Sequence, residues 1–188
     1  TGPTGSVAGL AIYSRARRQA NQAITTVNTK VLFDTVDASD SRVTYDATTG
    51  NITLAAGYTY SIMAAVPSLS ATNGTSRPSF VLYNVSNAIT IGSSQSFYQP
   101  TDGAANASSG SPAQAAIYAG TSINVAFIAN QVAGTLTVGA QPNSDFPAQE
   151  MPWIQIMSTN TAGATGPTGV GTTGATGAAG ATLSLIHI

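Results

Sequence analysis

The sequence contains no cysteine, and only 7% of its 188 residues are charged. Without cysteine, neither a disulfide framework nor thiolate chemistry is possible. Ordinary soluble domains carry about 25% charged residues, so this chain has an unusually neutral, hydroxyl-rich surface. A formal net charge of −1 gives no long-range field to attract nucleic acid or an anionic membrane, and it leaves self-association almost unopposed. We therefore expect the chain to associate with itself and not with nucleic acid.

The residues that catalysis usually requires are also scarce. The one histidine, His187, lies in residues 183–188 (LSLIHI), whose composition breaks from the preceding segment and resembles the translated read-through of a sequencing adapter at the end of a metagenomic contig. With His187 set aside and no cysteine, the usual nucleophile–base and zinc arrangements are missing. Neither a G-x-G-x-x-G motif nor a phosphate-binding loop is present. We expect no enzymatic activity and no cofactor.

Long apolar segments are missing too. No apolar run reaches the ~20 residues of a membrane-spanning helix, and no basic and apolar signal peptide opens the chain. Thr1 stands within a Gly-Pro-Thr-Gly pattern without a methionine, which indicates a processed or truncated start. We expect no membrane insertion.

The most ordered part of the sequence is residues 30–69. Val31, Phe33 and Val36 predict a first strand, residues 48–51 (TTGN) a turn, and Ile52 and Leu54 the next strand. Residues 58–69 then alternate apolar and polar positions, which predicts a longer strand with one buried face. The apolar positions of that strand are Tyr58, Tyr60, Ile62, Ala64 and Val66.

The same segment resembles the opening strands of the C1q/TNF-like jelly roll. In that family a VLFDTV strand precedes a Y-x-x-x-T-G-x-F-T-x-P-x-x-G-x-Y segment. Two positions depart from the pattern, since Ile52 replaces the usual aromatic residue and Ala55 stands where proline is common. The resemblance implies an antiparallel jelly roll whose last strand lies centrally among the earliest ones. The matching residues are Tyr45, Thr49, Gly50, Ile52, Thr53, Gly57 and Tyr58.

The rest of the chain predicts further short strands and no helix. They are expected around residues 10–13, 23–26, 78–85, 89–91, 97–98, 116–118, 123–129, 135–138 and 153–157, with loops at 70–77 and 100–112. Residues 114–130 predict a hairpin, and the apolar residues on both faces of 78–85 predict cover from the core and from a neighbouring subunit. Such a series indicates an all-β antiparallel jelly-roll sandwich. The alternatives are an immunoglobulin-like sandwich and a generic β-domain of a fibre protein.

Two charged clusters allow more than one interpretation. Arg15, Arg17 and Arg18 indicate either a contact with nucleic acid or an anionic glycan, or, as we favour, a solvated strand end or an intersubunit salt bridge. A series of aspartates suggests calcium, as some jelly rolls of this kind bind it. However, their three-residue spacing on an extended strand sends successive carboxylates to opposite faces, so we expect a polar loop and no metal site. The aspartates are Asp34, Asp37, Asp40 and Asp46.

The two ends of the chain carry Gly-X-Y patterns. After Gly163, glycine recurs at every third residue apart from one skip between Gly169 and Gly171. Only glycine fits at the axis of a collagen triple helix, although a flexible linker has a similar composition. Gly-X-Thr repeats resemble the collagen-like stalks of bacterial and viral surface fibres. We divide the chain into a collagen-like or linker segment at 1–9, a β-domain at 10–160, a collagen-like tail at 161–182, and residues 183–188, which we interpret as non-native read-through.

Glycosylation is predicted at two kinds of position. N-x-[ST] sequons occur at Asn51, Asn73, Asn84 and Asn106, and the predicted loops favour Asn73 and Asn106 as acceptors. The resemblance to glycosylated stalks implies sugars on tail threonines. Those threonines are Thr165, Thr168, Thr172 and Thr176.

These features together favour a structural subunit of an extracellular fibre, on a cell or virion surface, that forms a homopolymer or homotrimer. We expect either the tail or the strand at 10–13 to dock on a neighbouring subunit, because extended segments add readily to open sheet edges. The alternative is a trimeric C1q-like head that binds a receptor or glycan at the tip of a phage, viral or spore-surface fibre. The expected assembly residues are Leu10, Ile12, Tyr13, Gly163, Gly166, Pro167 and Gly169.

Overall fold

The computed structural model of the chain describes residues 12–71, 77–98, 106–132, 134–139 and 151–160. Within these ranges every regular element is a β-strand and there is no helix. The strands are β1 (Ile12–Arg17), β2 (Gln22–Ile24), β3 (Thr35–Ala38), β4 (Val43–Tyr45), β5 (Ile52–Leu54), β6 (Tyr58–Ala65), β7 (Ser68–Ala71), β8 (Ser79–Asn84), β9 (Ile89–Tyr98), β10 (Asn106–Ser109), β11 (Ala113–Ala119), β12 (Ile123–Gln131), β13 (Leu136–Val138) and β14 (Trp153–Asn160).

The strands form two antiparallel sheets. The five-stranded sheet has the order β11-β6-β14-β1-β3, and the nine-stranded sheet has the order β2-β13-β7-β10-β9-β8-β12-β5-β4. The last strand, β14, lies between β6 and the first strand β1, as the family resemblance implied. The prediction of an all-β antiparallel jelly roll is confirmed.

One apolar core lies between the two sheets. Alternate residues of β6 point into it, so Tyr60, Ile62 and Ala64 are buried, as the period of two predicted. The ring of Phe80 packs on those of Phe97 and Phe127, with centroids 5.9 and 5.5 Å apart. Each large apolar side chain buried in this way contributes about 1.5–3 kcal/mol, which is the main stabilisation of the sandwich.

The strand predicted at 58–69 is divided between the sheets. β6 ends at Ala65 in the five-stranded sheet, and β7 begins at Ser68 in the nine-stranded sheet. Pro67 stands at the corner, where its missing N–H cannot continue a ladder. The single long strand was therefore a wrong prediction, because the chain changes sheets at this proline.

The hairpin predicted at 114–130 is also wrong. β11 pairs with β6 in one sheet, whereas β12 pairs with β5 and β8 in the other. The glycine-containing turn at 120–122 therefore carries the chain across the sandwich. The local sequence does not distinguish these two outcomes, because a short polar turn can join the two strands of a hairpin or carry the chain from one sheet to the other.

The turn predicted at 48–51 is confirmed, and it joins β4 to β5. Asp46 organises it, because its carboxylate accepts hydrogen bonds from the backbone N–H groups of Thr48 and Thr49 at 2.9 and 3.1 Å. Gly50 has φ +69°, a conformation that glycine adopts at little cost. The strand expected around Val31–Val36 is partly wrong, since the regular strand is β3 (Thr35–Ala38) and Val36 is 48% exposed.

Two further boundaries differ from the predictions. The first strand runs from Ile12 to Arg17 and so includes two of the basic residues. The loop predicted at 100–112 contains β10, which pairs with β7 and β9. On the outer face of the nine-stranded sheet, Val81 and Ile128 are buried around Ala126. The predicted cover of that face by a neighbouring subunit stays a prediction.

A bulge in β9 connects the two sheets. The register between β8 and β9 shifts where Val81 meets Ser94 and Leu82 meets Ile91, and Gly92 has φ +70°. Here Ser93 leaves the nine-stranded sheet and reaches β11, where its Oγ accepts from the Gln114 N–H at 2.9 Å. The bulge thus brings β9 against the Gln114 end of β11 and closes the sandwich there.

Candidate assembly surface

The outer face of the five-stranded sheet presents two straight rows of side chains across four strands. Their registers follow from the pairings of β1, β14, β6 and β11. Alternate residues of these strands fill the core, so the rows point away from it. We call these eight residues the five-strand face. The first row is Tyr13, Met157, Ser61 and Ala116, and the second is Arg15, Gln155, Met63 and Gln114.

This face is neutral and partly apolar over most of its width. Tyr13 and Met157 face each other across β1 and β14, and each is 40% exposed. Met63 lies half-buried in the second row, between two glutamines. Single exposed apolar residues are ordinary, but a contiguous group marks an interaction surface. The rows have the character of a surface that packs against another protein.

The charges of the face are gathered at its β1–β3 side. Asp37 of β3 lies 3.0 Å from Arg17 Nε and 3.8 Å from Arg15 Nε, and neither contact is a hydrogen bond. The Arg15 guanidinium lies 6.0 Å from the centre of the Trp153 ring. Partly exposed pairs like these contribute only about 0.2 kcal/mol each, so they neutralise charge more than they stabilise the fold.

Arg18 pairs with a different aspartate. Its Nη1 lies 3.1 Å from Asp34 Oδ2, and the same carboxylate accepts hydrogen bonds from the backbone N–H groups of Gln19 and Ala20 at 2.7 and 2.9 Å. Desolvation by burial acts to raise the pKa of Asp34, but the two backbone hydrogen bonds and the Arg18 charge outweigh it and lower that pKa below its ordinary value. The carboxylate therefore fixes the loop that follows β1.

All three clustered arginines thus pair with aspartates of their own chain. β1 and β3 are neighbours and bring these opposite charges together within one chain. The alternative of an intersubunit salt bridge stays a prediction. The other two aspartates are engaged as well: Asp40 lies 3.7 Å from Arg42, and Asp46 holds its turn. Within the described ranges, no group of three or more His, Cys, Asp or Glu residues is placed to hold a metal ion.

One end of the core is polar. Ser14 Oγ and Tyr45 Oη lie 3.0 Å apart, and Ser14 Oγ also donates to Ala38 O at 3.2 Å. Burial raises the pKa of Tyr45 to about 12, against a smaller lowering by the Ser14 hydrogen bond. The Tyr45 phenol therefore stays protonated over the whole physiological pH range. This polar end of the core has a structural role.

The predicted assembly residues are placed only in part. Ile12 and Tyr13 belong to β1, whose backbone pairs with β14 of the same chain, so this strand completes its own sheet; the Tyr13 side chain lies on the five-strand face. Leu10 and the tail residues Gly163, Gly166, Pro167 and Gly169 lie outside the described residues. Their role in assembly stays a prediction.

The structure describes some of the predicted glycosylation sites. Asn84 is 1% exposed and its Oδ1 accepts from the Asn87 N–H at 3.1 Å, so the folded chain cannot offer it for glycosylation. Asn106 begins β10, which corrects its predicted place in a loop. Asn73 lies outside the described residues, as do the tail threonines Thr165, Thr168, Thr172 and Thr176.

Most of the five-strand face was not singled out from the sequence. Residues 153–157 predicted that one of two alternating sets is buried, and the structure buries Ile154 and Ile156 and turns Met157 outward. Ser61 and Met63 were identifiable as the complement of the buried set in β6. Gln114 and Ala116 carried no signal, because their role depends on which sheet β11 joins.

Comparisons with known proteins support the fold. No protein-family model matches the chain, and no curated protein matches it. Among solved structures, the chain is similar to the structure of Eiger TNF from S. frugiperda, with a TM-score of 0.53 and 14% sequence identity over 84% of this chain and 97% of that one. The likeness is one of fold: this chain has a TNF-like jelly roll. In the described part of the chain, no helix has the length and apolar character needed to cross a membrane.

Proposed function

We propose that this chain is a structural subunit of an extracellular fibre or filament, at a cell or virion surface, whose copies associate through their β-domains and flanking segments. The observation that supports this best is the five-strand face. Tyr13, Met157 and Met63 lie there beside small or amide side chains, and the charges are confined to the β1–β3 side. A neutral sheet face loses little hydration when it packs against another copy.

The flanking segments supply the second part of this proposal. The tail at 161–182 has neither charged nor aromatic residues, and its glycine spacing favours extended conformations over a packed core. Its threonines offer hydroxyl groups for sugars. We propose that the tail connects copies, and that no metal, cofactor or nucleic acid takes part.

A second candidate function is a trimeric head that binds a receptor or glycan at the tip of a surface fibre. The observation that favours it is the TNF-like fold, which matches nearly the whole length of the Eiger chain. In such a head the five-strand face would be buried between copies that form a closed ring. In a fibre the same face would join successive copies in an open-ended series. Glycan-array binding by the full chain would support this second candidate.

The test combines electron microscopy of the purified full chain with its mass in solution. Filaments with an axial repeat support a fibre subunit, discrete three-fold particles support the head, and a monomer at all accessible concentrations overturns both. Deletion of residues 161–188 should abolish filaments and leave the β-domain folded by circular dichroism. Filaments that survive the deletion would remove the tail from the proposal.

A matched pair of variants tests the surface. Met157→Glu places a charge in the centre of the five-strand face, and Thr44→Glu places one on β4 of the other sheet, where Thr44 is exposed. Both should fold as the native chain does. We expect Met157→Glu to prevent assembly and Thr44→Glu to permit it. Equal assembly of the two variants would show that copies meet elsewhere.

A further inference from the structure

β11 (Ala113–Ala119) is the longest edge strand that the structure describes. It pairs with β6 through seven residue pairs on one side only. At the opposite edge of the same sheet β3 has four residues, and the edge strands of the nine-stranded sheet, β2 and β4, have three residues each. An unpaired edge of this length is a template for another strand.

The backbone groups that face outward from β11 can be identified. Gln114 N–H donates to Ser93 Oγ at 2.9 Å, and Ser93 Oγ donates to Gln114 O at 3.4 Å, so the polar groups of Gln114 point away from β6. At the other end, Ala119 O accepts from the Gly57 N–H at 2.6 Å and so points toward β6. Since the direction alternates along an antiparallel strand, the N–H and C=O groups of Ala116 and Tyr118 point outward.

This edge lacks the usual protection against strand addition. β11 reads AQAAIYA, with neither a charged residue nor a proline, whereas natural edges are commonly blocked by lysine, proline or a bulge. The β3 edge, by contrast, carries Asp37 with its two arginines. Among the residues that the structure describes, β9 covers the Gln114 end of β11, where Ser93 makes its contact and Gly92 lies against Gln114 O and Ala115.

A shallow pocket lies at the Gln114 end of the edge, next to the outward groups of Ala116. It has a volume of about 290 Å³ and is lined by Ser61, Gly92, Gln114, Ala115 and Ala116. These residues are small apart from the glutamine, and Gly92 has no space for a Cβ because that atom would overlap Gln114 O. The pocket has room for the alanine, threonine and valine side chains that the tail would present on an added strand.

We propose that the β11 edge receives, as an added strand, residues 161–182 of a second copy of this chain. The inference rests on the proposed self-assembly and names the site at which the tail engages. The tail has the small, uncharged side chains that the edge and pocket suit, and it follows Asn160, the last residue of β14. Its 22 residues, when extended, span about 70 Å, enough to reach a neighbouring domain.

The first test is a proline variant of the full chain. Ala116→Pro removes an outward N–H that β6 does not use, so the internal ladder is kept. We expect this variant to fold and to need at least tenfold higher concentration to form polymers. Ala116→Ser, which keeps the N–H, should polymerise at a lower concentration than Ala116→Pro. Polymerisation of Ala116→Pro at the native concentration would overturn the proposal.

The second test does not depend on that variant folding. Because the chain has no cysteine, Ala116→Cys in one preparation and Thr165→Cys, Thr168→Cys or Thr172→Cys in another provide single thiols for a short bis-maleimide. Mixed copies should yield a cross-linked dimer with at least one tail position, and Thr44→Cys in place of Ala116→Cys should yield none. Absence of the dimer at all three tail positions would overturn the proposal.

Two outcomes separate this inference from the proposed function. If the native chain polymerises but neither test succeeds, only the β11 site is wrong. If a chain with both thiols cross-links within itself at dilute concentration, its own tail occupies the edge and the second copy is excluded. A native chain that never associates would instead remove the proposed function.

Discussion

The side-chain amide of Gln95 makes both of its hydrogen bonds to one residue, Val66. Its Oε1 accepts from the Val66 N–H at 2.8 Å, and its Nε2 donates to Val66 O at 3.1 Å. Gln95 is 1% exposed and Val66 is fully buried. The side chain thus replaces a neighbouring strand at the corner where the chain passes from β6 to β7.

Replacing Gln95 by leucine should lower the free energy of unfolding by about 2–3 kcal/mol, because a buried N–H and C=O lose their partners. Urea denaturation monitored by circular dichroism measures this change. Ser96→Ala, at the adjacent exposed position, is the control and should stay within about 0.5 kcal/mol of the native chain. A similar value for both variants would contradict the corner role of Gln95.

Gly92 should tolerate no side chain. At φ +70° an added Cβ would lie 2.7 Å from Ala115 Cα and overlap Gln114 O, so Gly92→Ala should cost about 3 kcal/mol or more by forcing β9 away from β11. Gly57→Ala is the matched control, since φ is +88° there but no atom lies within 4 Å of the new Cβ. It should cost only about 1 kcal/mol of backbone strain. If thermal denaturation shows equal losses of stability for the two variants, relieving the overlap between the new Cβ at position 92 and β11 costs little free energy.

The buried phenol of Tyr45 should make stability fall in alkaline solution. Its pKa is raised to about 12, whereas the unfolded phenol ionises near pH ~10. Its contribution is therefore complete below pH ~10 and is lost as the pH rises toward 12. Tyr45→Phe should cost about 1 kcal/mol at pH 7, and this difference should shrink or reverse between pH 10 and 12. A constant difference in denaturation midpoints over that range would contradict the prediction.

Asp34 should make stability fall in acidic solution. Because its pKa is lowered, its contribution is present above the ordinary carboxyl pKa of about 4 and is lost as the pH falls through the folded-state value. Asp34→Asn should cost about 1 kcal/mol at pH 7, and the two chains should converge in acid. Asp37→Asn removes ion pairs alone and should cost less than about 0.5 kcal/mol. Divergence of Asp34→Asn from the native chain below pH 4 would refute this assignment.

Much of the sandwich was predictable because its signals are local. The turn set by Asp46, the alternation of Tyr60 and Ile62, and the apolar β8 each depend on a few adjacent residues. Which sheet each strand joins is not local. Pro67 and the turn at 120–122 are both compatible with a continued strand or hairpin, and only the packing of the whole chain selects a crossing.

The candidate surface was harder to predict for the same reason. Arg17 and Asp37 are twenty residues apart, and their pairing depends on β1 lying beside β3. The row from Tyr13 to Ala116 combines four strands that are distant in sequence. The outward positions of each strand can be identified once its buried residues are known. Which outward residues lie beside one another depends on the order of the strands in the sheet.

The pairing of Ile12 with Ser158 has a mechanical consequence. β1 begins and β14 ends at the same end of the sheet, on adjacent antiparallel strands, so Ile12 and Asn160 lie at one end of the domain. A pulling force applied between these two residues would open the β1–β14 ladder one bond at a time, the weakest way to load a sheet. If the proposed fibre forms, contacts elsewhere on the domain are therefore better placed to bear tension than this pair of strand ends.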